Sequence, residues 1–216
     1  MKNIIFDLDG TLLDTSKDIT KAVNSTLTYF KFRKANKDKI IYCTGNGSRE
    51  LIQCVLNDKQ NIDQMVKHYN QTYNEDPLKY TKPYSGVLEM LNALKAQGAR
   101  LFVISNKPEF LVKKIVDAYF PGIFTHVLGF SQNLRAKPHP DSFNLLSRKY
   151  NFTKEECIFI GDSEVDLRFS ENSSISCFLV SYGFRSFDFL HTIAPRSTIF
   201  KSVKALETAL LSDIND

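Results

Sequence analysis

The chain has 216 residues, 43% hydrophobic and 24% charged, which is ordinary globular usage and length enough for a proper core, so a disordered or low-complexity protein is excluded. The formal net charge of +4 is mild, and the densest basic stretch, Lys31 to Lys39, is interrupted by Phe32 and Asp38; it reads as a solvated loop, and no nucleic-acid partner is expected. The first apolar run stops at Asp7, far short of signal-peptide or membrane length. Cys43, Cys54, Cys157 and Cys177 show no CxxC spacing and read as reduced thiols of a cytoplasmic protein.

Short apolar runs alternate with helical periodicity along the chain, the pattern of an α/β fold with a mostly parallel sheet. The first run, Asn3 to Phe6, leads into the stretch FDLDGT. Asp7 and Asp9 stand two residues apart, so extended backbone aims both carboxylates to one side with Leu8 opposite, and Gly10 lets the chain turn sharply. A calcium loop does not fit, since Leu12 occupies its sixth position and Asp18 its twelfth, after a strand instead of a helix. A plain acidic turn stays open.

The stretch from Asp14 to Lys82 breaks the alternation. Ile19, Ala22, Val23, Leu27 and Phe30 fall on one helical face, and Leu51, Ile52, Val55 and Leu56 begin another. This is too long for a crossover of one helix with short loops, so a helical subdomain is expected at residues 14–82, inserted in a core made of residues 1–13 and 83–216. Inside it, TGNGSREL (Thr44 to Leu51) is neither a Walker A loop nor a dinucleotide fingerprint. It reads either as a turn between helices with Ser48 as a cap, or as a loop in which Gly45, Asn46 and Gly47 bring amides to a small anionic substrate. Arg49 is then a candidate for a substrate carboxylate, or else a solvent-facing arginine.

After Pro83 the alternation resumes. VLEMLNALKAQG reads as a helix closed at Gly98, and the next apolar run ends in Ser105, Asn106 and Lys107, where Ser105 alone would serve as a helix cap. FLVKKIVDAYF has helical spacing, THVLGF reads as a strand, and AKPHPD carries Lys137, on its own a surface lysine, ahead of a helix near Asp141. IFIGDSEVD then takes an apolar strand directly into Asp162 and Asp166. SCFLVS and STIF complete the strands. Several carboxylates, a hydroxyl and a lysine at strand ends, where open parallel sheets place ligands, suit a divalent cation holding a phosphate.

The ordered set DLDGT, SN, KP and GDSEVD resembles the haloacid dehalogenase superfamily of phosphotransferases across essentially the whole chain. The resemblance implies a Rossmann-like core with a helical cap of the first class (C1) at the position of the insert. It implies Asp7 as the nucleophile, Asp9 as general acid and base, Ser105 and Lys137 as groups holding phosphoryl oxygens, and Mg²⁺ as cofactor on Asp7, the Asp9 carbonyl and Asp162. Asp166 would orient Lys137 or a metal-bound water, and Thr11 and Asn106 would assist at the phosphate. The GNG loop and YGFRS (Tyr182 to Ser186) are similar to phosphoglycolate phosphatases, so the expected partner is a small phosphorylated metabolite, phosphoglycolate first. A phosphomutase, a pyrophosphatase or a nucleotidase would keep the same motifs; a dehalogenase would not need Asp9. Where the family has small residues closed by glycine after Asp166, this chain has Phe169, Asn172 and Ser174. His68, His126, His139 and His191 are assigned no catalytic role.

Overall fold

The computed structural model describes residues 2–56 and 61–215. Its strands are β1 (Asn3–Phe6), β2 (Leu13–Asp14), β3 (Lys82–Pro83), β4 (Arg100–Pro108), β5 (His126–Phe130), β6 (Cys157–Gly161), β7 (Ser176–Val180) and β8 (Thr198–Phe200). Its helices are α1 (Ser16–Tyr29), α2 (Lys37–Tyr42), α3 (Ser48–Leu56), α4 (Ile62–Glu75), α5 (Val87–Ala96), α6 (Glu109–Tyr119), α7 (Asp141–Tyr150), α8 (Glu164–Ser173), α9 (Phe187–Ile193) and α10 (Val203–Asn215). The chain is an α/β protein whose six-stranded sheet has the order β5-β4-β1-β6-β7-β8, with every neighbouring pair parallel.

Each apolar run read from the sequence is a strand of this sheet. β1 and β6 are buried along their whole length, as expected of central parallel strands covered on both faces. Alternation then sorts their side chains. Ile4 and Phe6 join a large cluster containing α5, α6 and α10, whereas Ile5 joins Phe102, Phe143, Phe159 and Phe169 beneath α7 and α8. β1 lies between β4 and β6, so the chain order reverses beside it and leaves a crevice at the strand ends.

Between β2 and β3 come α1 to α4, and the apolar face read on the sequence is the buried one, with Ile19, Ala22, Val23 and Leu27 inside. These helices share the cluster of Ile4 and Phe6. Two small devices bring the segment back to its starting point. β2 and β3 pair antiparallel, and the buried Asp18 carboxylate accepts hydrogen bonds from the Tyr80 amide at 2.9 Å and the Thr81 amide at 2.7 Å.

The positions that depart from the family's small-residue pattern each have a structural role. Phe169 is fully buried and meets Phe159 edge to face at 4.9 Å, an arrangement adding about 0.5–1.5 kcal/mol beyond burial. Asn172 donates to the Pro138 carbonyl at 2.8 Å. Ser174 ends α8 in the left-handed region, φ 55°, the conformation that glycine would adopt without strain.

The cysteine reading needs one correction. Cys43 and Cys54 are joined in a disulfide, because α2 ends and α3 continues close enough in space to bring them together, which their spacing along the chain did not reveal. Cys157 and Cys177 are free thiols, and burial pushes both up to about 12, so they are inert. Among the described residues, no helix is long and apolar enough to cross a membrane.

Candidate active site

Asp7 follows β1 directly, and its amide donates to the Ile160 carbonyl of β6 at 2.9 Å. Leu8 turns into the core, fully buried, while Asp7 and Asp9 both line a cavity of about 50 Å³ at the strand ends. The sidedness expected of the two carboxylates is therefore present. Ser105, Asn106 and Lys107 from β4 and Asp162 and Asp166 after β6 line the same space, as do Thr44, Gly45, Gly47, Tyr69 and Tyr73 from the helical segment.

Lys137 comes from the β5–α7 connection and is buried, with its ammonium 2.8 Å from Asp7 Oδ1 and 2.7 Å from Asp166 Oδ1. Burial alone would lower its pKa, but Asp166 and Asp7 outweigh that and hold it above the usual lysine range. Asp166 uses its other oxygen for the capping box of α8, accepting from the Ser163 hydroxyl at 2.7 Å and the Ser163 amide at 3.1 Å. Its oxygens are thus occupied by protein donors, the Lys137 ammonium among them.

Asp162 Oδ2 accepts from the Phe184 amide at 2.7 Å. Its surroundings are main chain at unusually short range: a Cβ added to Gly10 would lie 2.2 Å from Asp162 Oδ2, and one added to Gly183 would lie 2.1 Å from the Gly10 carbonyl oxygen. Burial, with Asp166 and Asp7 adding to it, pushes the Asp162 carboxyl well above the usual carboxylate range. Burial also pushes Asp7 up to about 7 against the pull of Lys137, with Asp166 and Asp9 contributing to the rise. One oxygen each from Asp7, Asp162 and Asp166 can be found within 4.8 Å of one another. Clustered oxygen donors with more negative charge than Lys137 can offset are what a hard divalent cation fits.

The remaining sequence candidates divide. Gly45 and Gly47 line the cavity; Asn46 and Thr11 do not, and Thr11 is fully buried. Asn106 lines the cavity, but its amide acts as a bracket: Oδ1 accepts from the Lys137 amide at 2.7 Å, and Nδ2 donates to the carbonyls of Lys137 at 2.9 Å and Gly45 at 3.0 Å. Of the two readings of Arg49, the structure has the solvent-facing one: it pairs with Asp63 on the exposed surface and does not line the cavity. Ser105 is no helix cap either; its hydroxyl accepts from the Lys107 amide at 3.3 Å. Ser48 opens α3 and donates to Asn70 Oδ1 at 2.8 Å. His139 is directed at Asp141.

Sequence reasoning gave no role to Lys107. Its ammonium lies 2.7 Å from both oxygens of Asp9 and 4.5 Å from the centre of the Tyr73 ring. The stretch VISNK contains it, but nothing local points from Lys107 to Asp9.

The order of acids, hydroxyl and lysine around one crevice agrees with comparison to known proteins. Residues 4–180 match the family model of haloacid dehalogenase-like hydrolases. The chain belongs to this family. A phosphoglycolate phosphatase of Aquifex aeolicus is 34% identical over 185 residues, covering 85% of this chain and 86% of that protein. Another from Colwellia psychrerythraea is 30% identical over 206 residues, covering 89% and 90%. The solved structure of a candidate phosphoglycolate phosphatase from Lactobacillus delbrueckii subsp. bulgaricus superposes with a TM-score of 0.89 at 28% identity, covering 97% of this chain and 98% of that one. This haloacid dehalogenase-like hydrolase is a phosphoric monoester hydrolase, and its sheet and helices have the architecture of the family's phosphatases.

Proposed function

We propose that the protein hydrolyses a small phosphate monoester carrying a second negative charge, phosphoglycolate first, through an aspartyl phosphate on Asp7. Residues 14–82 serve as the cap and residues 1–13 and 83–216 as the catalytic core. The observation that carries the substrate reading is Lys107. Among the described residues lining the cavity it is the one cationic side chain, and Lys137 is already committed to Asp7 and Asp166. A substrate carboxylate would compete with Asp9 for the Lys107 ammonium, giving the small anion a seat and freeing Asp9 for proton transfer. A cavity of about 50 Å³ has room for roughly three to five waters, which favours a compact ester.

In this reading the Asp7 carboxylate attacks phosphorus as the ester P–O bond breaks, and Asp9 gives the leaving oxygen its proton. Asp9 then takes a proton from the water that opens the acyl phosphate, which returns Asp7 as a carboxylate and releases inorganic phosphate. Lys137 and the Ser105 hydroxyl face the oxygens on which transition-state charge resides. Asp7, Asp162 and the Asp9 carbonyl would hold Mg²⁺, whose chemistry is to neutralise charge where an anionic nucleophile meets an anionic ester.

Two measurements test this reading. In Mg²⁺ buffer, kcat/KM for phosphoglycolate is expected to exceed that for ethyl phosphate, which has a neutral tail, by at least about a hundredfold, as loss of a charge-assisted contact of ~3 kcal/mol requires. Lys107→Met is expected to collapse that ratio toward one; equal rates in the wild type would remove the carboxylate reading and leave the phosphatase assignment in place. Separately, Mg²⁺ should stabilise the fold. At a hundred times Kd the gain is about 2.7 kcal/mol, a rise in Tm of roughly 5–10 °C by calorimetry. Asp162→Asn should abolish most of that rise, and a wild type indifferent to Mg²⁺ would refute the metal assignment.

A further inference from the structure

Arg185 lies in the loop between β7 and α9 and is 5% exposed, yet it does not line the cavity. Its Nε and Nη2 grip the Glu164 carboxylate at 2.8 and 2.9 Å. The guanidinium then reaches across to the helical segment. Nη1 donates to the Ile41 carbonyl at 3.0 Å, and Nη2 to the carbonyls of Tyr42 at 3.1 Å and Thr44 at 3.0 Å.

Those carbonyls sit at and just past the C-terminal end of α2, where the backbone carries partial negative charge; that of Ile41 also accepts from the Thr44 amide at 3.1 Å. They lead directly into Thr44, Gly45 and Gly47, which line the cavity. On the other side, Phe184, the neighbour of Arg185, holds Asp162 through its amide, and Glu164 opens α8 next to the Ser163–Asp166 capping box. One buried cation therefore joins the loop that positions the acids to the loop that covers them. Its two sets of bonds are not equivalent. The pair with Glu164 lies within the sheet-and-helix body and keeps the guanidinium in place, whereas the three carbonyls belong to the helical segment and can leave together.

We propose that Arg185 is a positioning residue that latches the Thr44–Gly47 loop over the cavity, its bonds to the Ile41, Tyr42 and Thr44 carbonyls breaking when the cavity opens to exchange substrate and product. The inference rests on the reading of this cavity as the reacting site only for its kinetic consequence. Lysine at this position keeps a charge for Glu164 but cannot span the guanidinium's set of partners.

Amide hydrogen exchange followed by mass spectrometry tests the latch without any substrate. Arg185→Lys should speed exchange in residues 41–47 at least tenfold while residues 158–166 exchange as in the wild type. Glu164→Gln, which loosens the hold on the guanidinium but leaves its carbonyl partners intact, should speed exchange in residues 41–47 by less than Arg185→Lys does. With a phosphate ester that the wild type turns over, Arg185→Lys should raise KM about tenfold or more while the single-turnover rate at saturation stays within about threefold. Unchanged exchange in residues 41–47, or acceleration spread evenly over the chain, overturns the proposal. A wild type that turns over no phosphate ester overturns the proposed function and leaves the exchange result to decide on the latch.

Discussion

Asp7→Asn is expected to lower phosphate release by at least about 10⁴-fold, the scale on which enzymes lose activity when the nucleophile is removed, with no phosphoprotein trapped on rapid acid quench. The side chain keeps its shape and can still accept from Lys137 Nζ, now 2.8 Å from Asp7 Oδ1. The fold should therefore survive, and circular dichroism and Tm should match or exceed the wild type, because a carboxylate that burial pushes up to about 7 is costly to ionise in place. A folded Asp7→Asn protein that retained a tenth of wild-type turnover would rule out covalent catalysis by this carboxylate.

Lys137→Met is expected to damage both activity and stability. Lys137 is buried between Asp7 and Asp166, and removing one partner of a buried ionic group costs about 3–5 kcal/mol because the remaining charges are left uncompensated. Denaturant titration should show that loss near neutral pH. The sign of its pH dependence follows from Asp7, whose folded pKa of about 7 lies above its ordinary 3.8 even with Lys137 present; without the lysine it would lie higher. In that window the folded state binds more protons than the unfolded chain, so stability falls as pH rises. Wild type and variant share that fall up to about pH 7, so the deficit of Lys137→Met should widen as pH rises above 7, where only the variant keeps losing stability. A deficit independent of pH would mean that Lys137 acts through packing, for instance against the Phe159 ring 5.1 Å away.

The parallel strands were legible because burial on both faces leaves near-continuous apolar runs, and the carboxylates were legible because they interrupt those runs at their ends. β2 and β3 were not, since strands of two residues have no period to read. What escaped the sequence was pairing at a distance. Lys107 is 98 residues from Asp9, and Arg185 is 144 residues from Ile41, so neither partner can be found from local spacing. The same limit explains Arg49: the sequence placed it beside the GNG loop, but only the packing of α3 on α4 decides that it meets Asp63. Cys43 and Cys54 were misread for want of the turn that joins their helices.

Gly10 and Gly183 carry no functional group, but they hold the backbone against Asp162 at distances that leave no space for a methyl group. The Asp162 carboxylate is therefore packed directly against the Gly10 backbone, and the Gly183 backbone against the Gly10 carbonyl. For mutational tolerance this makes both glycines as restricted as the acids they adjoin. It also closes them to the common stabilising exchange of glycine for alanine, so a more thermostable form of this enzyme would have to be sought away from the motif loops.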